Sequence, residues 1–154
     1  MAKISVFKAI FIALLSSLLM SCSWFVPEHQ FTGQIETSKD VNPNHNGRPS
    51  PVVVIIYQLK GEKIFENAEF FSLYQNGKQV LSEDYVSQRE IEMIPDRTMS
   101  LDFPIAADTK YIGVIAAFSD IENTRWRAIV PLDDAWGTEA FTIKLDKKGV
   151  SVSG

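Results

Sequence analysis

Few side chains in this 154-residue sequence could do covalent or metal chemistry. There is one cysteine, Cys22, and there are two histidines, His29 and His45. A nucleophile needs a base beside it, and the only thiol stands at the end of an apolar N-terminal run. One imidazole with no second His or Cys at useful spacing makes a poor metal site, so His29 and His45 read as solvated loop residues. Glu83-Asp84 and Asp133-Asp134 are sequence neighbours. Adjacent strand positions face opposite ways, so neither pair predicts the facing carboxylates of a glycosidase, and turn roles suit them better. No glycine-rich phosphate loop or dinucleotide fingerprint occurs. Nothing in the chain supplies an enzyme.

Cys22 has a different chemistry open to it. Lys3 and Lys8 precede an apolar run from Ala9 to Leu19, and small residues follow. That order of charge, apolar run and cleavage site is a signal peptide, and the run is about half the roughly 20 residues a membrane span needs. Leu19, Ser21 and Cys22 resemble the end of a bacterial lipoprotein signal, with Met20 a less usual residue between them. In such proteins the thiol forms a thioether to diacylglycerol and the cysteine becomes the new N-terminus. Two or more acyl chains, at about 0.8 kcal/mol per methylene, give a stable anchor. The alternative is a secreted protein whose odd cysteine lies near a cleavage site. Ser23, in place of an Asp, implies the outer membrane in Gram-negative lipoproteins. The expected organisation is a signal peptide over 1–21, a lipidated tether over 22–30 and one domain over 31–154. In the tether, Trp24, Phe25 and Val26 either rest at the membrane interface or act as a spacer.

The formal charge is −4, and losing Lys3 and Lys8 takes the mature chain to −6. An acidic domain without a basic run is a poor nucleic-acid binder. About 130 residues can bury a core without disulfides.

The elements that would position these residues are mostly strands. Residues 31–37 alternate apolar or small with polar side chains. Residues 38–51 hold three prolines, three asparagines and a glycine, and so form a long loop of a length usually functional or disordered. Residues 52–59 are β-branched almost throughout, which predicts a central strand covered on both faces. Over 62–81 the period becomes helical, with Asn67 as N-cap, Glu69 in the first turn and Asn76-Gly77 as the stop. This helix is expected against an end or edge of the sheet. Its aromatics Phe65, Phe70, Phe71 and Tyr74 read as core, with a ligand-binding cluster as the alternative. Residues 85–94 and 98–103 read as a hairpin around Pro95-Asp96, and 111–118 as a second buried strand. Residues 125–130 place Trp126 in the core with Arg125 and Arg127 outward. Trp136, in a loop, either anchors an interface or folds back over the domain. A strand over 141–145, a turn at 147–149 and Val150 and Val152 close the chain. Seven or eight short strands and one inserted helix predict a mainly β fold, a two-sheet β-sandwich.

Three stretches carry a resemblance in their order. They are Arg48-Pro49-Ser50-Pro51-Val52-Val53-Val54-Ile55-Ile56-Tyr57-Gln58-Leu59, Phe65-Glu66-Asn67-Ala68-Glu69-Phe70-Phe71-Ser72-Leu73-Tyr74, and Tyr111-Ile112-Gly113-Val114-Ile115-Ala116-Ala117-Phe118 with Trp126-Arg127 after it. Behind a lipoprotein signal, this order resembles the TssJ (SciN, VasD) family, outer-membrane lipoproteins of the type VI secretion system. The resemblance implies a transthyretin-like sandwich with a small helical addition and a non-enzymatic role. It implies an acyl anchor in the outer membrane, facing the periplasm. It implies binding to the periplasmic C-terminal region of TssM and, through it, association with TssL. The contact is attributed to loops at one end, here 37–51, with Asn42, Asn44, His45, Asn46 and Arg48 as candidates and Trp136 as a second interface. No cofactor beyond the lipid on Cys22 and no small-molecule substrate are expected. Two other readings stay open. One is a lipid-anchored periplasmic carrier whose four aromatics line a pocket for a small apolar ligand. The other is a hydrolase acting on envelope glycan.

Overall fold

Residues 52–59 build the centre of the molecule, and the rest is arranged on their two faces. A computed structural model of the protein describes residues 29–132 and 141–153. Among these residues eight strands form: β1 (His29–Thr37), β2 (Val52–Leu59), β3 (Tyr85–Met93), β4 (Thr98–Ile105), β5 (Tyr111–Ala116), β6 (Arg127–Pro131), β7 (Phe141–Asp146) and β8 (Gly149–Ser153). One sheet has the order β4-β1-β7-β8 and the other β3-β2-β5-β6. β1 and β7 are parallel, and the remaining pairs are antiparallel. This is the expected two-sheet sandwich.

Strand side chains alternate between faces, and β2 buries both sets. Val52, Val54 and Ile56 join Phe31, Ile35, Phe103 and Ile143 between the sheets. Ile55, Tyr57 and Leu59 point the other way, into a second core with Phe65, Leu73 and Leu81. That second core is roofed by α1 (Lys63–Asn67) and α2 (Phe70–Leu81). The helical segment thus covers the outer face of a sheet, and the expected edge position is corrected. Helical periodicity marks an apolar stripe but not the surface that receives it.

Two details of that segment also differ from expectation. Asn67 is no N-cap: it ends α1, and its Nδ2 donates to the Lys63 carbonyl at 2.7 Å. The break comes at Ala68 and Glu69, both extended at ψ 148°. Asn76-Gly77 does not stop the helix but bends it at Asn76 (φ −135°, ψ 32°). Packing carries α2 through the bend. Tyr57 Oη donates to the Leu73 carbonyl at 2.9 Å, and the tyrosine lies against Gly77 where a Cβ would stand. Burial pushes the Tyr57 phenol up to about 12, so it remains a donor at any physiological pH. Gly→Ala inside a helix normally stabilises by about 1 kcal/mol. At Gly77 the overpacking cost, about 1–3 kcal/mol, together with a disturbed Tyr57 hydrogen bond worth about 1 kcal/mol, reverses the sign. Gly77→Ala is expected to lower the urea midpoint, and a raised midpoint would refute the close approach.

The expected hairpin of 85–94 with 98–103 is corrected as well. β3 pairs with β2 and β4 with β1, so the connection crosses between sheets. Met93 from one sheet and Leu101, Phe103 and Ile105 from the other meet in the same core. Two alternating segments joined by a turn fit either arrangement. Asp96 makes the corner at φ 57°. Thr37 secures it, with Oγ1 donating to the Ile94 carbonyl at 2.6 Å and accepting from the Arg97 amide at 3.0 Å.

β1 begins two residues before its alternating pattern, with His29 opposite Ile105 and Gln30 opposite Pro104. Its nine residues span about 30 Å at roughly 3.3 Å each. The pairing directions gather four connections at its C-terminal end: 38–51, 94–97, 117–126 and 147–148. This loop pole is the end of the sandwich opposite His29, where β1 begins.

Candidate functional site

The loop pole is built around residues 38–51, and this loop is held by its own side chains. Asn42 adopts φ 46°, a left-handed conformation that asparagine tolerates better than most residues. Its Nδ2 donates to the Pro51 carbonyl at 2.6 Å and its Oδ1 accepts from the Ser119 amide at 2.7 Å. One amide therefore ties the loop's two ends to each other and to the 117–126 loop. Asn42 is only 4% exposed. A short polar side chain that completes buried backbone groups is drawn inward, and Asn42 reaches the surface only as part of the lining of the cleft beside the 117–126 loop.

Asn44 shapes the tip. Its Oδ1 accepts from the amides of Asn46 at 2.9 Å and Arg48 at 3.0 Å. Its backbone bonds Gly47 and Arg48, and Gly47 sits at φ 72°. Presented outward by this turn are His45, Asn46 and Arg48, all exposed, with His45 Nε2 3.0 Å from Asn46 Nδ2. A cleft of about 560 Å³ separates the loop from the 117–126 loop, with Pro43 and His45 on one wall, Phe118, Asp120 and Asn123 on the other, and Lys147 beside them. Lys147 Nζ lies 3.7 Å from Asp40. A hydrogen bond from Ser38 Oγ, aided by Lys147, holds the Asp40 carboxyl below its ordinary range.

The expected aromatic cluster divides. Phe65 and Phe70 are buried, whereas Phe71 is 62% exposed and Tyr74 38%. Phe65 fills the space over Gly113, so the four rings do not line one pocket. Trp126 is half-buried, with Phe70 edge-on at 5.3 Å. The arginines beside it do not simply point outward. Arg127 lies over the Trp126 ring at 4.5 Å, and its Nη1 donates to the carbonyls of Phe65 and Ala68 at the break between the helices. Arg125 Nε donates to the Val150 carbonyl at 2.8 Å. Orphan carbonyls at a helix end attract such donors, but no local pattern in the sequence announces which arginine will reach them. The cleft's second wall was also absent from the expectations. Its only sequence signal is Phe118, apolar at the edge of a polar stretch.

Among the described residues, no group of three His, Cys, Asp or Glu side chains could hold a metal ion. Nor is any helix there long and apolar enough to cross a membrane. His29 pairs through its backbone in β1. Glu83 and Asp84 occupy a single 3-10 turn after α2. Cys22, Asp133, Asp134, Trp136 and the tether residues Trp24, Phe25 and Val26 lie outside the described residues.

A family model described as "Type VI secretion lipoprotein, VasD, EvfM, TssJ" matches residues 29–148. Solved structures share the fold. The Lip protein of Serratia marcescens, a membrane bound component of the type VI secretion system, has a TM-score of 0.75 at 23% identity, covering 82% of this chain and 97% of that one. The type VI lipoprotein TssJ1 of Pseudomonas aeruginosa gives 0.74 at 21% identity, covering 82% and 96%. A chain in the structure of the "T6SS protein TssM C-terminal domain (869-1107) from EAEC" gives 0.70 at 23% identity, covering 82% and 98%. No curated protein matches the sequence.

Proposed function

The chain belongs to the type VI secretion lipoprotein family, and on that premise we propose that it tethers the trans-envelope complex to the outer membrane. In this reading, acyl chains on Cys22 hold the protein to the periplasmic face of that membrane. The loop pole grips the periplasmic C-terminal region of TssM, and TssL is reached through TssM. The observation that carries the reading is the ordered 38–51 loop. It presents His45, Asn46 and Arg48 from an internally bonded turn, about 30 Å along β1 from the N-terminal side. An anchor at one end and a preorganised contact surface at the other suit a tether. A surface ordered before binding also loses less entropy on association.

One of the similar chains lends support. It is almost wholly covered by a match to 82% of this chain, so it is shorter than the span 869–1107 named for the TssM domain. A chain of this fold thus accompanies that domain.

The test uses soluble protein (residues 23–154) and the purified periplasmic domain of the cognate TssM. A His45→Ala, Asn46→Ala, Arg48→Ala variant leaves Asn42 and Asn44 in place and should melt like the parent. Arginine hot spots contribute about 2 kcal/mol or more, so binding is expected to weaken at least 30-fold. Unchanged binding would move the site elsewhere, and no binding by the parent would remove TssM as partner. In cells, Cys22→Ser should shift the protein from the membrane to the soluble fraction. Retention with outer membranes after a salt wash would end the anchor reading.

A further inference from the structure

The four connections of the loop pole are charged differently from the rest of the chain. They carry six basic side chains (Lys39, Arg48, Arg97, Arg125, Lys147, Lys148) against four acidic ones (Asp40, Asp96, Asp120, Glu122), a net of +2 on a protein of −4 overall. Local bonding leaves that net charge unchanged and decides which of these charges stand free. Asp40 is engaged by Lys147 and Ser38. Asp120 accepts from Asn123 Nδ2 at 2.9 and 3.1 Å. Lys39, Arg48, Arg97 and Lys148 are all exposed, and among the described residues none has a side-chain hydrogen bond or ion pair. Two of the pole's four carboxylates are thus engaged internally, while four cations on its connections stand exposed.

We infer that the loop pole is an electropositive docking face for an acidic protein surface, with Lys39, Arg48, Arg97 and Lys148 supplying the attraction. This rests on the reading of the pole as the partner site and adds what the partner must look like there: a patch of Asp and Glu facing these four cations. Unpaired cations on a mostly acidic body orient the approach as well as accelerate it, because the body repels the same patch. Anionic lipid is the less suitable occupant. The face lies at the pole away from the N-terminal side, and about 30 Å exceeds the Debye length of about 8 Å at physiological salt.

The experiment measures association rate and Kd for the TssM periplasmic domain at 50 and 500 mM NaCl. It compares the unaltered soluble protein, a K39Q/R48Q/R97Q/K148Q variant and a K63Q/K110Q control from outside the pole. The unaltered protein and the control should lose about tenfold or more in association rate at high salt. The neutralised variant should associate slowly at both salts. If it binds as fast and as tightly as the parent while the His45→Ala, Asn46→Ala, Arg48→Ala variant fails, the site stands and the charge inference is overturned. If the parent binds no TssM domain, both readings fall. Capture of the parent by phosphatidylglycerol vesicles, lost in the neutralised variant and matched by no TssM binding, would overturn the inference in favour of lipid.

Discussion

Replacing Asn42 with leucine is expected to lower the melting temperature by about 10 °C. The side chain is nearly fully buried and serves two backbone groups at once, the Pro51 carbonyl and the Ser119 amide. A buried polar group left without a partner costs about 1–3 kcal/mol, and two are orphaned together. Leucine also holds φ 46° less readily than asparagine, by about 1–2 kcal/mol. The sum is about 3 kcal/mol or more, and each kcal/mol moves the melting temperature of a domain this size by several degrees. Asn42→Gly separates the causes: it keeps the backbone conformation and loses only the hydrogen bonds, so it should fall between parent and leucine variant. Binding should suffer as well, since the loop's two ends and the cleft's second wall lose their common tie. A leucine variant that melts with the parent in a calorimeter would show that the amide holds nothing together.

Phe65→Ala should be comparably damaging, for a reason of packing. The ring is fully buried, meets Tyr57 edge-on at 5.9 Å and fills the space over Gly113. Truncating a buried phenylalanine costs about 3–5 kcal/mol, against a total stability of about 5–15 kcal/mol. The loss should be local before it is global. Phe65 is the one fully buried residue of a five-residue helix, too short to persist without its packing. Phe65 belongs to the core under the helices and not to the one between the sheets. Hydrogen exchange in Phe65→Ala should therefore rise first over 63–81, with β1 and β7 protected until global unfolding. Uniform loss of protection would mean that the two cores unfold as one.

How legible this was in the sequence depended on the kind of fact. Strands with one buried face were readable because alternation along 31–37 and 141–145 is a local consequence of the pleat. β2 was readable as doubly covered because both its faces are apolar. What covered its second face was not, since the helical stripe and the outer surface of the sheet lie in different segments. The step from β3 to β4 failed for a related reason. Residues 91–93 and 101–105 are equally apolar, and only their partners, β2 and β1, decide the sheet. In the candidate site, the composition of 38–51 marked the loop correctly. It could not separate Asn42, turned inward, from His45, Asn46 and Arg48, turned outward, because that choice depends on Ser119, 77 residues away. Arg127 was misjudged for the same reason: its acceptors are carbonyls of Phe65 and Ala68.

The position of β1 has a mechanical consequence. A pull applied at His29 against the loop pole runs along this strand. β1 is an inner strand, in register with β4 from His29 to Glu36 and with β7 from Gly33 to Thr37. An edge strand under the same axial pull is held by a single ladder of hydrogen bonds. Here the bonds to both neighbours lie across the line of pull and are sheared together, so they must fail nearly at once. The same pull applied at Ser153 would load the edge strand β8, which pairs with β7 alone, and would meet one ladder where β1 has two.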